Sequence, residues 1–257
     1  MILTSLVLVL LAVLGAPLFA IIGAGALLGF SRAEVDLTAV PIEIYGIAET
    51  PILLAIPLFT FAGYVLSESR AAARLVRLSA ALIGWLPGGL AMVAVATCSL
   101  FTAFTGGSGV TIIAIGALLF PALIQAGYGE RFTLGLVTSS GSLGLLFAPS
   151  LPLIIYGIIA EVSIDSLFVA GIVPGILMML ALAGFCLWHN RENRRPLSEF
   201  SWVEVRAAVR ESIWELPLPV VVLGGIYGGF FAVSEAAAVT VVYVLIVELF
   251  VYREVPL

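Results

Sequence analysis

The chain has 257 residues, 62% hydrophobic and 11% charged, with a mean hydropathy of +1.21. A soluble domain carries about a quarter charged residues, so this composition excludes an ordinary soluble fold and indicates an all-α, polytopic membrane protein. The net charge of -5, with all eleven basic residues arginine, argues against nucleic acid as a partner, and Cys98 and Cys186 suggest neither a metal site nor a disulfide framework.

Residues 2–30 are apolar with no basic segment before them, which predicts a first spanning helix, bent at Gly15-Ala16-Pro17, and not a cleaved leader. Residues 32–49 follow with Glu34, Asp36, Glu43 and Glu49 against a single arginine. Residues 51–67 make a second, short span. In residues 68–83, Arg70, Arg74 and Arg77 share one helical face beside Ala71, Leu75, Leu78 and Leu82. That pattern suits a helix lying at the membrane interface, or equally a solvated loop helix.

Residues 78–129, fifty-two in a row, contain no Asp, Glu, Lys, Arg or His, and Thr105-Gly106-Gly107-Ser108-Gly109 sits in their middle. The arms on either side, starting from Pro87-Gly88-Gly89, are each about 23 to 26 Å long as helices, short for a crossing of about 30 Å. A turn between two ordinary spans would be polar and charged at a surface. This one has no charge, so the pattern predicts a re-entrant hairpin over residues 87–127. The next span, residues 131–159, contains Ser139-Ser140-Gly141-Ser142 and Ala148-Pro149-Ser150-Leu151-Pro152, and should break at both.

Residues 166–188 span again and end among His189, Arg191, Arg194 and Arg195. Ser201 and Glu204 form a capping box opening an amphipathic arm within residues 189–216, with Trp202, Val205, Val209, Ile213 and Leu216 at helical spacing. Two short helices complete residues 217–257, divided at Val233-Ser234-Glu235. Glu248, the one carboxylate inside a span, lies near its end and is expected to reach the interface. With Arg70, Arg74 and Arg77 on the cytoplasmic side, ten of eleven arginines are cytoplasmic and the N-terminus is inside.

Helix breaks inside a membrane expose backbone carbonyls on one arm and N–H groups on the next. Together with the hydroxyls of Thr105, Ser108 and Thr111, and of Ser139, Ser140 and Ser142 in the second break, they offer neutral oxygens to Na⁺ and a helix N-terminus to an anionic group. Small residues also serve merely to let helices approach closely. A membrane serine protease would use Gly106-Gly107-Ser108-Gly109, but its only available base, His189, sits at a distant helix end.

At these residues the chain resembles the large membrane subunit of the tripartite ATP-independent periplasmic (TRAP) transporters. The resemblance rests on Leu54-Ala55-Ile56-Pro57-Leu58-Phe59, Leu86-Pro87-Gly88-Gly89-Leu90, the glycine tip, Pro121 with Gly127-Tyr128, and Pro149-Ser150-Leu151-Pro152 with Tyr156-Gly157. Leu167-Phe168-Val169-Ala170-Gly171 with Pro174-Gly175, and Ser234-Glu235-Ala236-Ala237-Ala238, extend it along nearly the whole chain. It implies the first half of an inverted-repeat elevator transporter in a bacterial inner membrane. Such a transporter imports an organic acid with Na⁺ as coupling ion, no other cofactor, and two partners: a small membrane subunit and a periplasmic substrate-binding protein.

Carried over residue by residue, the implied site is Thr105, Gly106, Gly107, Ser108, Gly109 and Thr111 at the tip with Ser139, Ser140, Gly141, Ser142, Pro149 and Ser150 in the broken helix. Na⁺ is expected at Thr105, Ser108, Ser140 and Ser142. The same resemblance divides the chain into scaffold helices and interfacial arm (1–83), a transport-domain half (84–188), a cytoplasmic arm (189–216) and further scaffold helices (217–257). Members often have Ser-Gly-Ser at the tip and two adjacent prolines in the broken helix, where this chain has Thr-Gly-Gly-Ser-Gly and a single Pro149 after Ala148. The resemblance covers only the N-terminal part of such a subunit, so the second repeat is expected to be missing, and a non-transporting membrane scaffold is the alternative reading.

Overall fold

A chain this apolar satisfies its backbone in hydrocarbon through helices, and all regular structure among the described residues is helical. The computed structural model describes residues 2–86, 88–189 and 199–255. Pro87, Arg191, Arg194 and Arg195 lie outside the described residues. The chain divides into two compact units, Met1–Thr50 and Pro51–Leu257.

The first unit holds α1 (Ile2–Val13), α2 (Leu18–Arg32) and α3 (Ala39–Ala48). The expected bend is a full break. Gly15 adopts φ +86°, a left-handed conformation that glycine reaches without a Cβ clash. Ala16 N–H then donates to the Leu11 carbonyl at 3.0 Å and Gly15 N–H to that of Ala12 at 3.1 Å, the Schellman pattern that terminates a helix, and Pro17 follows. Residues 2–30 therefore form two helices in place of the single long span expected. They have 12 and 15 residues, each short of the roughly 20 that a crossing needs.

The second unit begins with a 3₁₀ turn, Pro51–Leu54, running into α4 (Ala55–Glu68), then α5 (Ala71–Ile83). The hairpin arms are α6 (Gly89–Thr105) and α7 (Ser108–Gln125). The broken helix is α8 (Glu130–Leu143), a 3₁₀ turn at Gly144–Leu146, an irregular stretch containing a cis Ala148-Pro149 bond, and α9 (Leu151–Ile159), bent by 46°. After α10 (Ile164–His189) come α11 (Trp202–Glu211), α12 (Pro217–Tyr227) and α13 (Val233–Leu245), the last continued by a π-helical turn, Ile246–Val251.

Four stretches among the described residues are long and apolar enough to cross a membrane: Pro51–Glu68, Ser108–Gln125, Ile164–His189 and Val233–Val251. The bent pair Glu130–Leu146 and Leu151–Ile159 makes a fifth if it counts as one span.

α6 is the central element, touching α4, α5, α7, α8 and α10, and its Val93, Ala94, Cys98 and Phe101 are fully buried. Between helices in lipid, close contact replaces the hydrophobic effect as the source of cohesion. Two glycines set that closeness. A Cβ on Gly63 of α4 would lie 2.7 Å from the Thr105 Cα, and one on Gly141 of α8 would lie 2.8 Å from Ile112 of α7.

Three expectations change. Ser139-Ser140-Gly141-Ser142 does not break its helix but lies inside α8: Ser142 Oγ donates back to the Thr138 carbonyl at 3.2 Å, a bond that a helix tolerates, and Gly141 is there for packing. Only residues 147–150 interrupt the span. The capping box is not formed: Ser201 makes no side-chain cap on α11, and the Glu204 carboxylate accepts from Arg77 Nε at 2.8 Å instead of returning to its own helix start. The reach-back bond occurs at α13, where Glu235 accepts from the Ala232 N–H at 2.9 Å.

The third change concerns Arg74. It is only 4% exposed and does not share the open face of Arg77. Its Nε bonds Glu215, its Nη1 donates to both oxygens of Glu254 at 2.8 Å, and its Nη2 reaches Glu248 at 3.3 Å. Glu248, expected at the interface, is fully buried.

Candidate functional site

The hairpin turns on two residues. Gly106 caps α6 in the left-handed region at φ +65°, where a side chain would be strained, and Gly107 is extended, so α7 can start at Ser108. The arms fold back on each other here: Thr102 Oγ1 lies 2.7 Å from Thr111 Oγ1, nine residues on. Thr102 also lies 2.8 Å from the Cys98 carbonyl and 2.9 Å from that of Gly141, so α6, α7 and α8 meet at one hydroxyl. Thr105 Oγ1 is 3.3 Å from Thr111 Oγ1, and both hydroxyls approach the Gly107 carbonyl, at 3.4 and 3.3 Å. All three threonines are buried.

The tip also meets the break in the neighbouring span. A Cβ on Gly106 would lie 3.0 Å from Leu151 Cγ and 3.6 Å from the Pro149 carbonyl oxygen. Between those residues Ser150 is buried, and its Oγ has no hydrogen-bond partner. Ser140, next to the Gly141 that accepts from Thr102, is likewise fully buried and unpartnered. Burying a hydroxyl without a bond costs about 1–3 kcal/mol, so such atoms call for an explanation.

The structure thus brings together Thr105, Gly106, Gly107, Thr111, Gly141, Pro149 and Ser150, with Ser140 adjoining. Ser108 is half-buried at the first turn of α7, and Gly109 is exposed beside it. Ser139 and Ser142 are not part of this cluster: both are exposed on another face of α8, lining a groove of about 680 Å³ with Thr138, Leu146 and Leu182. The threonine at the centre, Thr102, was not among the sequence candidates, although it lies one helical turn before Thr105. Buried, unpartnered hydroxyls at Thr97, Ser99 and Thr133 were also missed. His189, the base a serine protease would need, stacks on Phe132 and Phe185 with ring centroids 5.0 and 5.5 Å away.

Chemically the cluster presents uncharged oxygens, backbone and hydroxyl, with the N-terminus of an 18-residue helix opening at Ser108. Such a set suits a monovalent cation and, at the helix N-terminus, an anionic group. It offers no nucleophile with a base beside it.

Comparison with known proteins identifies the family of the chain. Residues 2–257 match the family model of the tripartite ATP-independent periplasmic transporter, DctM component. The chain is 36% identical to the ectoine/5-hydroxyectoine TRAP transporter large permease protein UehC of Ruegeria pomeroyi over 98% of its length and 60% of that protein's. It is 37% identical to the isethionate TRAP transporter permease protein DctMQ of Oleidesulfovibrio alaskensis, over 92% of the chain and 39% of the relative. To the C4-dicarboxylate TRAP transporter large permease protein DctM of Vibrio cholerae it is 38% identical, over 79% of the chain and 45% of the relative. The chain therefore spans 39 to 60% of the length of these relatives. All three are named as transporter permeases and not as enzymes. With at least four helices of spanning length and this match, the chain is a multi-pass inner-membrane protein and belongs to the DctM component family of the tripartite ATP-independent periplasmic transporters.

Proposed function

We propose that the chain forms part of a Na⁺-coupled importer of an organic acid, and that the hairpin tip and the broken helix hold the ion. The observation that carries this reading is the pair of buried, unpartnered hydroxyls, Ser140 and Ser150, beside the Thr102, Thr105 and Thr111 cluster. A bound cation would complete what the protein leaves open: neutral oxygens from Ser140, Ser150 and the Gly107 carbonyl, which Thr105 and Thr111 already approach. Ser142 is exposed on another face of α8 and is not a ligand in this reading. The α7 N-terminus, carrying partial positive charge, would receive the acid group of the substrate near Ser108 and Gly109.

Family membership supports the remainder: delivery by a periplasmic binding protein, a small membrane subunit as partner, and an elevator-type movement of the tip-bearing helices against the others. The isethionate, C4-dicarboxylate and ectoine in the names of the relatives are all small solutes that carry an acid group. The distribution of arginine favours a cytoplasmic N-terminus and a hairpin entered from that side.

The test is uptake by proteoliposomes that hold the intact permease complex containing this chain, supplied with its loaded binding protein. Import should require an inward Na⁺ gradient, and Ser140→Ala should raise the Na⁺ concentration for half-maximal rate. Equal import with K⁺ replacing Na⁺ would refute the coupling.

A further inference from the structure

The second buried polar cluster, around Arg74, is not explained by transport at the tip, and it is unbalanced. One guanidinium faces three carboxyl groups, those of Glu215, Glu248 and Glu254, from chain segments far apart. The guanidinium has five N–H donors in a fixed fork. Glu215 takes Nε, Glu254 takes Nη1 with both oxygens, and Glu248 receives only a long contact from Nη2, at 3.3 Å to Oε1. Glu248 Oε2 has no partner although the residue is 0% exposed.

Several neighbouring donors are committed elsewhere. Tyr252 stacks its ring under the guanidinium, 3.8 Å from Cζ, and its hydroxyl donates to the Glu211 carbonyl at 2.6 Å, with Glu215 Oε2 at 3.2 Å. Burial holds that phenol above its usual range, so it remains a donor. Tyr243 donates to the Trp214 carbonyl, the Arg70 N–H to Glu254, and Arg253 Nε to the Phe250 carbonyl. Arg77 is held by Glu204 and Glu211, while Tyr64 and Glu68 of α4 are exposed.

An ionised carboxylate oxygen can only accept, and burying one without a donor is among the costliest arrangements in a protein. A carboxylic acid in the same seat turns the orphaned acceptor into a donor. An acceptor can be supplied by water: Glu248 borders a cavity of about 10 Å³, room for roughly one. Glu248 lies within the π-helical turn Ile246–Val251, and such turns recur at functional sites.

We infer that the Arg74 cluster is a proton-binding site in which Glu248 carries the proton on Oε2 while Glu215 and Glu254 share Arg74 as carboxylates. The proton joins α5, the α11–α12 connection and the end of α13 into one junction with a single excess negative charge. Its removal puts a second uncompensated negative charge into an apolar seat, so the junction weakens as pH rises.

Infrared spectroscopy of the purified protein in detergent at neutral pH tests this. The wild type should show a protonated-carboxyl band that shifts in D₂O, absent in Glu248→Gln and retained in Glu254→Gln. Because glutamine copies the neutral acid, Glu248→Gln should keep the wild-type unfolding midpoint near neutral pH and lose less of it than the wild type as pH rises. A band that survives Glu248→Gln, or none in the wild type, would overturn the assignment, as would failure of Glu248→Gln to fold where Glu254→Gln folds.

Discussion

Around Arg74 nearly every polar atom has a partner and most of the groups are charged; around Thr111 the groups are neutral, and buried hydroxyls on the neighbouring segments are left open. The first is built by α5, the α11–α12 connection and the end of α13, the second by α6, α7 and α8, and the difference in saturation separates their tasks. A charge cluster that uses up its donors fixes the elements it joins, because parting them strands a buried charge. A neutral cluster with spare oxygens can gain a ligand and lose it again at modest cost.

Removing the centre of the saturated cluster should have the largest effect. Arg74→Leu strands Glu215 and Glu254, and breaking a buried pair from one side costs about 3–5 kcal/mol. Thermal unfolding in detergent should show a severe drop or no folded protein. A variant as stable as the wild type would mean that the three carboxyl groups do not depend on Arg74.

Next comes the contact that seats the tip. Gly63→Ala adds a carbon 2.7 Å from the Thr105 Cα, and neither backbone can move without shifting a helix. Overpacking of this kind costs about 1–3 kcal/mol. The midpoint should fall, and with it any stabilisation by Na⁺, since Thr105 belongs to the open cluster. If stability falls but the Na⁺ response is untouched, the tip and the ion site are separate.

Within the open cluster the cost should be smaller. Thr102→Val keeps the shape but removes the hydroxyl shared by three helices, leaving the Gly141 carbonyl without that donor, for about 1 kcal/mol. A loss matching that of Arg74→Leu would show that the tip is as rigidly built as the charged junction, and the contrast would collapse.

Much of the tip was legible because its signals are local. Fifty-two uncharged residues, a glycine pair able to turn left-handed, and a proline-bearing break are visible in any short window. The hydroxyl run at Ser139 to Ser142 misled for a local reason too: serine can bond its own helix as readily as break it, and only the position of Ile112 shows that Gly141 serves packing. Arg74 was not legible as a buried residue. Its partners lie 141 to 180 residues away, and a helix with three arginines on one face looks the same whether all or two of them are exposed. The lone carboxylate in an apolar span, Glu248, was the available clue, since such a group needs a cation nearby. The missing reach-back of Glu204 at the start of α11 has the same origin: Arg77 competes for it from a distant segment.

The central claim, that the open cluster is a Na⁺ site, is tested most directly by the unfolding midpoint of the permease containing this chain as Na⁺ is raised at constant ionic strength. At about a hundredfold excess over the dissociation constant, a single site stabilises by about 2.7 kcal/mol. The account predicts a rise in midpoint with Na⁺ but not with K⁺, and its reduction in Ser140→Ala, which should otherwise match the wild type in the absence of Na⁺ because that hydroxyl has no partner to lose. Equal stabilisation by K⁺, or an undiminished Na⁺ response in both Ser140→Ala and Ser150→Ala, would contradict it.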